Sequence, residues 1–140
     1  GFVGKAWDDD LQDNGSPITG TAKQAFNYFD SRGVKKYFTR ARPTIITDGS
    51  PNVVLGMAVD FDNTAAGASV SPATPNPNAY WDSGVWDVDA WGNGLTVYNN
   101  WQGIAGIGYC GALVFISSSS GSQIEWPSTD VVFQIGWAGI

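Results

Sequence analysis

The chain has 140 residues, a formal net charge of −6, 18 glycines and seven tryptophans, which is one domain's length with enough material for a real core. It has no histidine and one cysteine, Cys110, which excludes Ser-His-Asp and Cys-His catalysis, the usual zinc ligand sets and an intrachain disulfide. Glu125 is the only glutamate and no apolar run is long enough to span a bilayer, so the chain reads as non-catalytic, with no cofactor, metal site or membrane anchor.

The chain opens Gly1-Phe2-Val3-Gly4 without an initiator Met or a signal-peptide pattern, as expected of a fragment or a processed product. Phe2 to Trp7 reads as a first short strand, and Asp8 to Pro17 as a turn or loop. The acids of that loop (Asp8, Asp9, Asp10, Asp13) invite a calcium reading, but no Glu closes an EF-hand pattern, and a solvated acidic turn is preferred. Ile18 to Phe29 fits either a helix ending at Gly33 or a strand. The strand is preferred, because Asp30-Ser31-Arg32-Gly33 then closes a hairpin onto Val34–Thr47.

Val53, Leu55, Met57, Val59 and Phe61 alternate with Val54, Gly56, Ala58 and Asp60. This period of two predicts a strand with one core face. Asn63 to Ala79 reads as a loop, extended by Pro72, Pro75 and Pro77. Ile104 to Ile116 is a long apolar run that predicts a strand buried on both faces, with Cys110 as a small core residue. Ser117 to Ser122 predicts a flexible turn, and Gln123–Trp126 and Val131–Ile135 supply the last strands. Strong helix formers are scarce throughout. Six to eight short strands between Gly, Pro, Ser and Asn punctuation predict an all-β chain: a two-layer antiparallel β-sandwich with long irregular loops, residues 1–140 forming a single domain.

Two constellations stand out. Trp81, Trp86 and Trp91 recur every fifth residue, each beside or near an Asp, and Trp101 follows. A step of five fits no regular element and predicts turns and short extended pieces. Such rings serve either as a sugar-stacking platform or as a core corner and subunit contact, and the packing role is preferred. Six of the seven cations lie between Lys23 and Arg42. On an extended strand Lys36, Arg40 and Arg42 share one parity and Lys35 the other, with Tyr37 and Phe38 interleaved. That strip suits a phosphate backbone or, given the overall acidity, an acidic face of a neighbouring subunit, which is preferred.

Three blocks carry a family resemblance: Ile18 to Phe38 (ITGTAKQAFNYFDSRGVKKYF), Trp81 to Asp87 (WDSGVWD) and Ile124 to Phe133 (IEWPSTDVVF). In this order they resemble the C-terminal region of short-tailed bacteriophage tail proteins of the hub or nozzle type. In that family a β-propeller is accompanied by β-sandwich material and the subunits form a ring around the DNA exit channel. The resemblance implies a structural virion protein of the phage tail, a C-terminal part of a larger tail protein. Its partners would be neighbouring copies in a ring-shaped homo-oligomer, other phage tail proteins and channel DNA. No propeller repeat is visible, and Trp137 stands where a small residue is expected. The alternative is a carbohydrate-binding module for host-receptor adhesion on an exposed Trp cluster. A third reading is a calcium-dependent enzyme domain.

Overall fold

The computed structural model describes residues 12–63, 67–70, 78–79, 90–91 and 95–136. These form ten strands and no helix: β1 (Ile18–Lys23), β2 (Lys36–Thr47), β3 (Asn52–Val59), β4 (Gly67–Val70), β5 (Asn78–Ala79), β6 (Ala90–Trp91), β7 (Thr96–Tyr98), β8 (Gln102–Gly108), β9 (Gly111–Ser119) and β10 (Ile124–Ile135). One antiparallel sheet runs β1-β9-β3-β4. In the other, β2 pairs with β10 along one edge and with β8 and then β7 along the opposite edge. The predicted all-β two-layer sandwich is therefore observed. β5 and β6 form a separate two-residue parallel pair.

The core lies between the sheets. Val53, Leu55 and Met57 of β3 face Phe38, Ala41 and Ile45 of β2, with Leu113, Phe115 and Tyr98 beside them. Phe29, Phe38 and Phe133 form a triangle of tilted rings with centroids 5.3–5.9 Å apart, a geometry that the ring quadrupole favours. Trp126 of β10 stacks on Phe115 of β9 at 4.7 Å and 12°, joining the two sheets. The indole Nε1 donates to Thr129 Oγ1 at 2.6 Å, so the one polar atom of the ring is satisfied.

Several expectations are corrected. Residues 18–23 do form a strand, but β1 pairs with β9 and not with β2. The proposed hairpin is instead a crossing between sheets. It is fixed by the Asn27–Gly111 bridge and by Asn27 Oδ1, which accepts the Phe29 N–H at 2.7 Å. Phe29 and Asp30 both have positive φ, so the chain turns away there.

The apolar run Ile104 to Ile116 is two strands in different sheets, β8 and β9, broken at Tyr109-Cys110. Asp60 Oδ1 accepts the N–H groups of Tyr109 at 2.7 Å and Cys110 at 3.2 Å, which holds the corner. Cys110 is buried, whereas Ile107 of β8 is 51% exposed, so the run is not buried on both faces.

β3 ends at Val59, and Phe61 is 62% exposed in a turn where Asp60 and Phe61 both have positive φ. Phe61 packs instead on Phe26, with centroids 4.5 Å apart. The expected loop from Asn63 to Ala79 contains β4, which pairs with β3, and β5. The serine stretch expected as a turn begins inside β9, and the turn itself falls at Gly121. The two expected final strand pieces are one strand, β10, with a register shift between Glu125 and Ser128. Pro127 sits in that bulge on an edge strand, where its missing N–H costs no ladder bond. The turn at Asn14-Gly15, both with positive φ, joins Asp13 to Ser16 through two 2.9 Å bonds, the hydrogen-bonded geometry of a type I′ turn. The predicted strand at 2–7 and the acids Asp8, Asp9 and Asp10 lie outside the described residues.

Candidate functional site

The outer face of the second sheet is set by a bulge in β2. Val132 of β10 lies opposite Arg40, and the next residue, Phe133, lies opposite Phe38, so Thr39 is an extra residue. An added residue reverses which side chains point inward. Before the bulge, Lys36 and Phe38 are buried; after it, Ala41, Pro43, Ile45 and Thr47 are buried. Arg40 and Arg42 therefore lie on the outer face while Lys36 lies in the core. The expectation that Lys36, Arg40 and Arg42 share a face is corrected by this one residue.

Lys36 is 0% exposed. Its ammonium donates to the carbonyl oxygens of Val34 at 3.1 Å and Tyr109 at 2.9 Å and also to that of Ser31. Three acceptors match the three ammonium donors, which is what permits a cation to be buried without a carboxylate. Lys36 is thus a pin between the 27–35 crossing and the β8–β9 corner, out of reach of DNA or a partner subunit.

The other cations of the strip are mostly engaged with rings. The Lys23 ammonium lies 4.6 Å from the Phe26 centroid, Arg32 4.9 Å from Tyr28 and Lys35 5.9 Å from Tyr109. Arg42 lies 4.9 Å from the Trp101 centroid and donates to Asp130 Oδ2 through Nε at 3.0 Å and Nη2 at 2.7 Å. Arg40 has no hydrogen bond or ion pair with the described residues.

On the outer face the antiparallel register aligns three rows. Tyr37 stands between Ile107 and Gln134, Arg40 between Gly103 and Val132, and Arg42 beside Asp130, with Trp101 packed against it. A groove of about 380 Å³ opens here, lined by Thr39, Arg40, Trp101, Val132 and Gln134. Thr39 Oγ1 donates to the Val132 carbonyl at 3.1 Å, which ties the bulge to β10. Among the described tryptophan side chains singled out in the sequence, Trp101 enters this site. Trp91 lies in β6, and Trp81 and Trp86 lie outside the described residues.

Asp130, Val132, Gln134 and Gly103 were not singled out in the sequence. Their part follows from cross-strand pairing, Asp130 with Arg42 across 88 residues of chain, for which no local signal exists. A second open region lies between the sheets at the β1 edge. It comprises adjoining grooves of about 250 and 270 Å³ that share Gly20, Ser117 and Ile124. Among the described residues no cluster of His, Cys, Asp or Glu is placed to hold a metal ion.

Fold and site together define a two-sheet β-sandwich with a mixed aromatic and arginine outer face. No protein family, curated protein or solved structure matches this chain.

Proposed function

We propose that this chain is a non-catalytic structural module of a short-tailed phage tail, in the virion's hub or nozzle, joined to neighbouring copies in a ring and to other tail proteins. The three sequence blocks that resemble such proteins support the reading, and the β-sandwich is the architecture that the resemblance implies.

The observation that carries the assembly role is β1. All six of its residues are exposed, and among the described strands it pairs only with β9. A strand so placed offers a row of backbone donors and acceptors to another chain. The grooves beside it expose Ile18, Ala22, Ile124 and Trp126, so backbone pairing there would be accompanied by apolar burial. Channel DNA is a weaker partner than the sequence suggested, because Lys36 is buried and Arg42 is paired with Asp130.

Sedimentation and native mass spectrometry of the chain over a concentration series test the reading. The expected result is a closed oligomer that persists in high salt, as apolar and backbone contacts do, and that Thr21→Lys on β1 weakens. A chain that stays monomeric throughout, or an oligomer indifferent to charge on β1, overturns assembly through this edge.

A further inference from the structure

We propose that the outer face of the β10-β2-β8 sheet is a binding site for an acidic saccharide, with Trp101 stacking on a sugar ring and Arg40 holding its carboxylate. The site is independent of the β1 edge and goes beyond the assembly role.

The first argument is the ring. Trp101 is 44% exposed and is contacted on one side. Asp130 fixes Arg42 by two hydrogen bonds, and the Arg42 guanidinium lies against the indole. An exposed aromatic held this way is pre-organised, which lowers the ordering cost of binding. The indole face not covered by Arg42 suits the C–H groups of a pyranose, and a flat apolar wall with a few polar groups is the usual make-up of a small-ligand site.

The second argument is charge. Arg40 lines the same groove and has no hydrogen bond or ion pair with the described residues. A guanidinium presents paired donors that match a carboxylate bidentately. Gln134, also in the lining, presents an amide, and the Thr39 oxygen, whose proton is given to Val132, can still accept from a sugar hydroxyl. The groove volume of about 380 Å³ falls in the range of small-ligand sites, roughly 300–1,000 Å³.

The third argument concerns the strand position beside Arg40. Gly103 lies opposite Arg40, and a Cβ built there meets nothing within 4 Å. The space beside Arg40 on the β8 side is therefore open.

A nucleic acid fits less well. Tracking a phosphate backbone needs several free cations in line. Among the described residues of this face Arg42 is engaged with Asp130 and only Arg40 remains, in a chain of net charge −6. One ring and one guanidinium match one acidic sugar.

The test is calorimetric titration of the full chain with trigalacturonate, its methyl ester, N-acetylneuraminic acid and a ten-nucleotide oligothymidylate. At least one acidic sugar is expected to bind, with trigalacturonate about tenfold or more tighter than its uncharged ester, the scale of one charge-assisted hydrogen bond. Arg40→Gln should erase that preference, and Trp101→Ala should weaken the acid and the ester alike by about tenfold. Gly103→Leu should block the groove with the melting temperature unchanged. Absence of binding by both acidic sugars at millimolar concentration, equal affinity for acid and ester, or affinity that survives both Trp101→Ala and Arg40→Gln overturns the proposal. Preferential binding of oligothymidylate overturns it in favour of a nucleic-acid face.

Discussion

The Lys36 ammonium donates to the Tyr109 carbonyl at 2.9 Å, linking the start of β2 to the corner that separates β8 from β9. Because the same ammonium also bonds the carbonyls of Ser31 and Val34, one side chain closes three loose ends of backbone at one end of the sandwich. Removing it leaves three carbonyls without their donor and a cavity in place of the stem. Lys36→Ala is therefore expected to cost about 3 kcal/mol. Lys36→Met, which restores the stem volume but no donor, should cost less. Urea unfolding of both variants measures the difference, and equal losses would mean that stem packing contributes nothing.

Two glycines on the strands after Trp101 make opposite predictions. A Cβ at Gly111 would lie 2.8 Å from Met57 Sδ and 2.9 Å from Phe38 Cζ. Both neighbours are core residues that have little room to yield. Gly111→Ala is expected to destabilise by about 1–3 kcal/mol. Gly103→Ala meets no atom within 4 Å and should leave the melting temperature unchanged or slightly raised. Thermal unfolding of the pair checks the geometry of the core and the groove together.

How much of this was legible in the sequence depended on whether the signal was local. β3 was plain, because it runs without a bulge and its inward residues keep one parity to Val59. β2 was half legible: its length and its apolar second half could be read, but the extra residue at Thr39 reverses the pattern, and a bulge has no composition of its own. The break between β8 and β9 was hidden because Asp60, which caps it, lies about fifty residues away in the chain. Trp101 and Arg42 were each picked out by residue type. Their contact, and the role of Asp130 in fixing it, belong to strand pairing and were out of reach of periodicity.

Tyr98 makes one contribution to stability that is lost in alkali. Its ring is 3% exposed, and burial raises its hydroxyl above the ordinary value of 10.0, because the phenolate is poorly solvated inside. Unfolded Tyr98 loses its proton near the ordinary value, while folded Tyr98 keeps it to higher pH. The folded state therefore binds more protons in that interval, and stability falls as pH rises. The contribution is fully present below about pH 10 and is lost as pH climbs through the raised value. In denaturant midpoints measured from pH 8 to pH 12, the part of any decline above about pH 10 that belongs to Tyr98 should disappear in Tyr98→Phe. A decline that is unchanged in Tyr98→Phe would assign it to other groups.

Trp126 closes the side of the sandwich where β1 and β10 leave the sheets open. Its stack on Phe115 joins strands of opposite sheets there, and its N–H is satisfied by Thr129. Trp126→Ala removes the stack, the buried indole area and the bond, and should cost about 3 kcal/mol. Trp126→Phe retains a ring over Phe115 and loses only part of the area and the bond to Thr129, so about 1–2 kcal/mol is expected. Because Trp126 also lines the groove beside β1, the Ala variant should widen that opening and increase binding of an apolar dye such as anilinonaphthalene sulfonate under native conditions. The Phe variant should not. Denaturant unfolding and dye fluorescence on the same samples separate the two effects: a large stability loss without added dye binding would mean that the sheets close over the gap.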